Sequence, residues 1–93
     1  MKRKLLESTA FIRSAKRFLK KNPQAAKDFR ATLALLSEDV FHPALKTHKL
    51  KGDLAEYLAC SAGYDLRIVF AFVQHENAEA ILLSSVGTHD EVY

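Results

Sequence analysis

In three places this 93-residue sequence brings together side chains able to move protons or hold an anion at neutral pH. His48 stands among Lys46, Lys49 and Lys51; Asp65 and Arg67 are two residues apart; and His89 is followed by Tyr93. Histidine, with an unperturbed pKa of about 6.5, gives and takes protons near neutrality. A set of this composition fits RNA cleavage without a metal. A base removes the ribose 2′-OH proton, an acid protonates the departing 5′-oxygen, and a cation stabilises the charged phosphorane between them. An aromatic such as Tyr93 suits the set, because single-stranded RNA is commonly held by stacking its bases. Taken singly, these residues have ordinary explanations. A lone histidine in a loop is usually solvated, Asp65 beside Gly63 and Tyr64 can stabilise a turn, and a last residue usually frays. Arg67 is more informative. Within an otherwise apolar strand it costs several kcal/mol if buried alone, so it either pairs with an acid such as Asp65 or Glu56 or faces a ligand.

The elements that must position these residues are legible from periodicity. A short strand at Lys4–Glu7 precedes a helix capped by Ser8 or Thr9, whose apolar positions Phe11, Ile12, Ala15, Phe18 and Leu19 share one face. The other face carries Arg13, Lys16, Arg17 and Lys20. Asn22-Pro23 signals a second helix, with Asn as cap and Pro in the first turn, and Ala26, Phe29, Leu33 and Leu36 recur at helical spacing. Pro43 disfavours helix at His42, and the basic stretch Lys46–Gly52 reads as a loop or the entry to a strand. Leu54–Ser61, Asp65–Gln74 and Glu79–Val86 have strand length and are separated by turn material at Gly63-Tyr64 and His75-Glu76-Asn77. The first of the three also admits a helical start. Strands joined so closely pair antiparallel. The predicted fold is therefore α+β, in two layers ordered β-α-α-β-β-β, with a helical hairpin on one face of an antiparallel sheet. Along the central strand Leu66, Ile68, Phe70 and Phe72 alternate with Arg67, Val69, Ala71 and Val73, which puts Arg67 on the uncovered face.

No repeat, low-complexity tract or linker divides the chain, so residues 1–93 read as one domain. Net charge is +3, but it is unevenly spread: residues 1–51 hold 13 of the 14 Lys and Arg with four acids, and residues 52–93 hold Arg67 against seven acids. The concentration of cations suits a polyphosphate partner, although it also serves simply to solvate two helices. The longest apolar run, Ile68–Val73, falls far short of the roughly 20 residues of a membrane-spanning helix. No signal-like segment follows Met1-Lys2-Arg3-Lys4, so a cytosolic protein with no membrane partner is expected. Cys60 is a lone cysteine without Cys/His ligand spacing, which argues against a disulfide or structural zinc. There is no phosphate-binding glycine loop, nucleophile elbow or His pair at i, i+4, and this disfavours nucleotide hydrolysis, esterase and zinc-peptidase chemistry.

The segments Leu45-Lys46-Thr47-His48-Lys49-Leu50-Lys51-Gly52 and Gly87-Thr88-His89-Asp90-Glu91-Val92-Tyr93, with Tyr57 and a strand-borne Asp65 between them, resemble the RelE/ParE superfamily of bacterial toxins, in particular its YafQ-like branch. Helix and strand order carry the likeness over the whole chain, and the motifs make it specific from residue 45 to residue 93. The resemblance implies the toxin of a type II toxin–antitoxin pair. Such a toxin enters the ribosomal A site, contacts 16S rRNA and cuts the mRNA without metal or other cofactor, and a cognate antitoxin is its protein partner. It also implies roles for five residues. His89 would be general acid, His48 general base or phosphate contact, Asp65 the group that orients a histidine, Arg67 the transition-state clamp and Tyr93 the stacking residue. Acid and base are exchangeable at this level. The basic residues Arg13, Lys16, Arg17, Lys20, Lys46, Lys49 and Lys51 would contact RNA and ribosome. Two positions depart from the branch: Ser61 stands where a further histidine is common, and Leu66 where an aromatic is common. Competing expectations are a ParE-like inhibitor of DNA gyrase that cuts no RNA, which His48 and His89 count against, and a binding-only homologue.

Overall fold

The computed structural model of the chain describes residues 2–63 and 65–88. Helix α1 (Thr9–Lys21) starts at Ser8, whose hydroxyl accepts from the Phe11 amide at 3.0 Å and so satisfies one of the donors a helix start leaves unpaired. It buries Phe11, Ser14 and Phe18 and places Lys20 and Lys21 in its last turn, where cations suit the negative end of the helix dipole. Helix α2 (Ala26–Glu38) buries Phe29, Thr32, Leu36 and Ser37. Asn22 departs from its expected role. Pro23–Ala25 form a single 3₁₀ turn without a side-chain cap, and Asn22 Nδ2 donates to the Phe18 carbonyl at 3.0 Å. The amide thus closes α1 instead of opening α2, because the carbonyls of a helix end are as much in need of partners as its amides.

Five strands, β1 (Leu5–Glu7), β2 (His48–Lys49), β3 (Leu58–Ala62), β4 (Leu66–His75) and β5 (Ala78–Gly87), lie in the order β1-β5-β4-β3-β2. The last four pair antiparallel, as their short connections require. β1 instead runs parallel to β5, with Leu5 opposite Ile81, so the sheet is mixed at that edge. Two helices separate β1 from the rest of the sheet, and a crossover of that length permits parallel entry. The basic stretch contributes β2, and β3 begins at Leu58 because Gly52–Leu54 form a 3₁₀ turn.

Both helices cover one face of the sheet. Phe11 stacks on Phe29 with ring centroids 6.1 Å apart, over Leu36, Ile68, Phe70 and Ile81, none of which retains any exposed surface. Full burial of a side chain of this size contributes roughly 1.5–3 kcal/mol. On the other face Leu50, Ala59 and Val69 form a smaller apolar cluster with Tyr57 at its margin.

The alternation of β5 is broken once. Phe70 pairs with Leu83 and Val69 with Ser85, so Ser84 is a one-residue bulge, and Leu83 and Val86 both face the helices although three residues apart. β1 ends at Glu7, and beyond it the start of α1 takes over as neighbour to β5. The Ser8 amide donates to the Leu83 carbonyl at 3.2 Å, the Ser8 hydroxyl to the Ser84 carbonyl at 3.3 Å, and the Val86 amide to the Ser14 hydroxyl at 3.0 Å. Two serines thereby pair backbone groups that an absent strand would have paired. Among the described residues no helix is long and apolar enough to cross a membrane.

Candidate functional site

Directly paired residues share a face of the sheet, so the register assembles the site. Arg67 lies opposite Ser61 on one side and Gly87 on the other. One rung away on the same face, His48, Ala59, Val69 and Ser85 form a row across four strands. Two interstrand spacings and a two-residue rise separate the Cα atoms of His48 and Arg67 by about 12 Å, a span that their side chains can close around a phosphodiester. The alternation of β4 therefore places Arg67 as anticipated, on the face the helices leave uncovered.

Arg67 is half-buried, and its Nη1 donates to the Leu66 carbonyl at 3.2 Å. Neither Asp65 nor Glu56 pairs with it. Among the described residues the ion pairs are Arg3 with Glu79 and His75 with Glu76, and no carboxylate lies within salt-bridge distance of the Arg67 guanidinium. Behind Arg67, on the helical side, sits Cys60. Burial pushes its thiol up to about 12 against the opposing pull of Arg67 and the Ile68 backbone, so it is no nucleophile at neutral pH.

His48 is exposed on β2, at the edge of the sheet. Its Nδ1 lies 3.0 Å from the Lys46 carbonyl, and Lys46 itself is held in the left-handed conformation at φ 52°. A carbonyl only accepts, so the neutral ring carries its proton on Nδ1 and its lone pair on Nε2, the form a general base needs. Lys46, Lys49 and Lys51 are exposed around it.

Asp65 occupies the turn ahead of β4, at the end of the sheet. It lines a cleft of about 220 Å³ beneath the turn between the helices, together with Phe18, Asn22, Asp28, Leu66 and Thr88. An adjoining cleft brings Arg17 and Lys21 to Val86 and Thr88. His89 and Tyr93 lie outside the described residues; the chain reaches them through Gly87, the partner of Arg67, and Thr88.

The predicted basic residues do not form one surface. Arg13, Lys16, Arg17 and Lys20 are exposed on α1, in the layer behind the sheet, and Arg17 reaches the cleft at the end of β5. Lys46 and Lys51 flank His48 at the edge of the open face instead, whereas Lys49, opposite Leu58, turns to the helix-covered side of that edge. Sequence reasoning passed over Thr88, which borders both clefts, and the apolar cluster around Val69. The recurrence of Val69, Ala71 and Val73 at every second residue was the available signal for an open face that is partly apolar. Among the described residues no three His, Cys, Asp or Glu side chains converge as a metal-ion cage.

Several solved structures share this architecture. YafQ from E. coli strain BL21(DE3) superposes with a TM-score of 0.78 at 15% identity over 98% of each chain, and the E. coli DinJ–YafQ toxin–antitoxin complex with 0.76 at 16% identity over 100% of this chain and 99% of that one. At those identities the likeness shows the fold. A metal-bound toxin from Helicobacter pylori is 29% identical over the full length of both chains, with a TM-score of 0.75. No curated protein sequence matches significantly. The model of the family described as the bacterial toxin of type II toxin–antitoxin systems, YafQ, matches residues 3–93, the same span that holds the sheet, the Arg67 face and the residues leading from it. The chain belongs to the YafQ family of bacterial type II toxins.

Proposed function

We propose that this toxin is a ribosome-dependent mRNA endonuclease that works in the A site by acid–base catalysis carried by its own side chains. The observation that carries the reading is Arg67: a half-buried guanidinium on the open face of the sheet, with no carboxylate at pairing distance among the described residues. A cation so placed is suited to the non-bridging oxygens of a phosphodiester, whose charge grows in the transition state.

In the proposed reaction His48 Nε2 takes the proton from the ribose 2′-OH, and the 2′-oxygen attacks phosphorus. The P–O5′ bond breaks as His89 protonates the leaving oxygen. The products are a 2′,3′-cyclic phosphate and a 5′-hydroxyl, with the proton gained by His48 and lost by His89 exchanged through solvent. Asp65 orients a histidine and Tyr93 stacks on an unpaired base. Lys46 and Lys51 hold the mRNA strand beside His48, Lys49 reaches RNA from the other side of the same sheet edge, and Arg13, Lys16, Arg17 and Lys20 on α1 contact ribosomal RNA. Separate surfaces suit a protein wedged between message and ribosome. A cognate antitoxin is the protein partner, as DinJ is for E. coli YafQ.

Primer extension on a defined mRNA, with and without translating ribosomes, tests the reading beside a His89→Ala control. Cuts confined to the lane with ribosomes and wild-type protein support it. Uncut mRNA in every lane, or cutting by His89→Ala at the wild-type rate, refutes it.

A further inference from the structure

We infer that Ser14 is a positioning residue for the cleavage step, acting through the end of β5; the inference rests on the proposal that the residues following β5 are catalytic. Ser14 sits on the buried face of α1, 7% exposed. Its hydroxyl donates to the Phe11 carbonyl at 3.1 Å and accepts from the Val86 amide at 3.0 Å. Alanine is the better helix former, so a serine on the apolar face of a helix calls for a reason.

The reason lies in the edge of β5. Up to Leu83 the strand is held on both sides, by β4 and by β1 with the Ser8 amide. Past the Ser84 bulge, β4 holds one side, and on the other the Ser8 hydroxyl takes the Ser84 carbonyl and the Ser14 hydroxyl takes the Val86 amide. Val86 directly precedes Gly87, the residue opposite Arg67, and stands three positions before His89. Without the Ser14 hydroxyl the Val86 amide loses its acceptor at the floor of the cleft that Ser14 and Val86 line with Arg17 and Thr88. A buried donor in that state either draws in water or moves to find a partner. Either response shifts the strand end relative to Arg67. Displacing catalytic groups by about 1 Å slows chemistry by up to about 100-fold while leaving distant binding contacts untouched.

The test compares Ser14→Ala, Ser14→Thr and Val40→Ala. Val40 is also buried, belongs to the segment after α2, and serves as a control for lost stability. Single-turnover cleavage on programmed ribosomes at saturating toxin is measured at a temperature where circular dichroism shows every variant folded, with ribosome affinity measured separately. Ser14→Ala is expected to cut about 10- to 100-fold more slowly at unchanged affinity. Ser14→Thr, which keeps an oxygen in place, recovers most of the rate, and Val40→Ala matches the wild type. Should Ser14→Ala not fold, Ser8→Ala, which frees the neighbouring Ser84 carbonyl, is expected to show the same slowing. A wild-type rate in the serine variant, or equal slowing in Val40→Ala, overturns the positioning role alone. Absence of cleavage by the wild type overturns the function beneath it.

Discussion

Replacing Arg67 by methionine separates two properties that most core substitutions change together. Methionine keeps an unbranched stem against the open face and removes the charge. Two stability terms then oppose each other. Relief of a half-desolvated guanidinium with no carboxylate partner among the described residues favours the variant by about 1 kcal/mol, well below the cost of a fully buried lone charge. Loss of the 3.2 Å bond from Nη1 to the Leu66 carbonyl disfavours it, by about 1–2 kcal/mol for a charged donor still partly in water. The net change lies within about 1 kcal/mol, which for a domain of this size moves the melting temperature by no more than about 4–8 °C. Catalysis has no such compensation. Removing one preorganised donor from developing oxyanion charge costs about 100- to 1,000-fold in rate, or about 2.7–4 kcal/mol. Calorimetry and single-turnover cleavage on programmed ribosomes read the two quantities independently. Arg67→Lys, which retains charge but loses the planar fork, should fall between wild type and methionine. A methionine variant that melts far lower and cuts in proportion to its folded fraction would show that Arg67 is a structural residue and that the assignment is wrong.

Three further outcomes follow from other parts of the molecule. The native Cys60 thiol keeps its proton to about 12, whereas the unfolded chain releases it near 9.0. Above pH 9 the unfolded state therefore binds fewer protons, and stability should fall by up to about 1.4 kcal/mol per pH unit. Urea titrations from pH 8 to pH 10 should show that slope flattened in Cys60→Ala; an unchanged slope places the alkaline sensitivity elsewhere. In the β4–β5 turn Glu76 and Asn77 have φ of 51° and 67°, a geometry that favours Asn followed by Gly. Glu76→Asn should raise stability by about 0.5–1 kcal/mol on thermal melting, since Asn enters the left-handed region at lower cost and the exposed Glu76 carboxylate lies 3.6 Å from the buried His75 Nε2, too far for a hydrogen bond. Reversing Lys16, Arg17 and Lys20 to Glu should weaken ribosome binding and flatten its dependence on salt, measured by sedimentation across ionic strengths. Equal salt slopes for wild type and variant would remove α1 from the binding surface.

Local environment was legible in the sequence; partnership was much less so. Phe11, Phe18, Phe29 and Leu36 recur at the helical period and are buried, and the two-residue period of β4 put Arg67 on the open face, because periodicity reports which side of an element meets the core. It does not report which strand lies alongside. Hence the parallel entry of β1 beside β5 was not foreseen, and the two-residue β2 is too short to show a period, which is why Lys46–Gly52 reads equally as loop or strand entry. The bulge at Ser84 escaped because alternation in β5 resumes in the opposite phase, and only the pairing with β4 reveals the break. Ser14 went unnoticed in the sequence, because its meaning depends on Val86, 72 residues further on. Charge counting grouped α1 with the Lys46–Lys51 stretch, although the sheet stands between them. Of the candidate site residues, Arg67 and His48 share the open face of the sheet, Asp65 sits at its end, and His89 and Tyr93 fall outside the described residues.

The placement of β5 has a consequence for how the toxin comes into being. Its neighbours include β1, paired through residues 76 positions apart, and α1, whose serines and buried phenylalanines pack against it. During synthesis, then, the first 21 residues have no sheet to join until residues 78–87 have been made. Contacts of such long range form late and slowly, because the loop between them must close first. The nascent chain therefore lacks the sheet that carries Arg67 until β5 has been made. Folding of this toxin therefore waits on the closure of β5 against both β1 and β4.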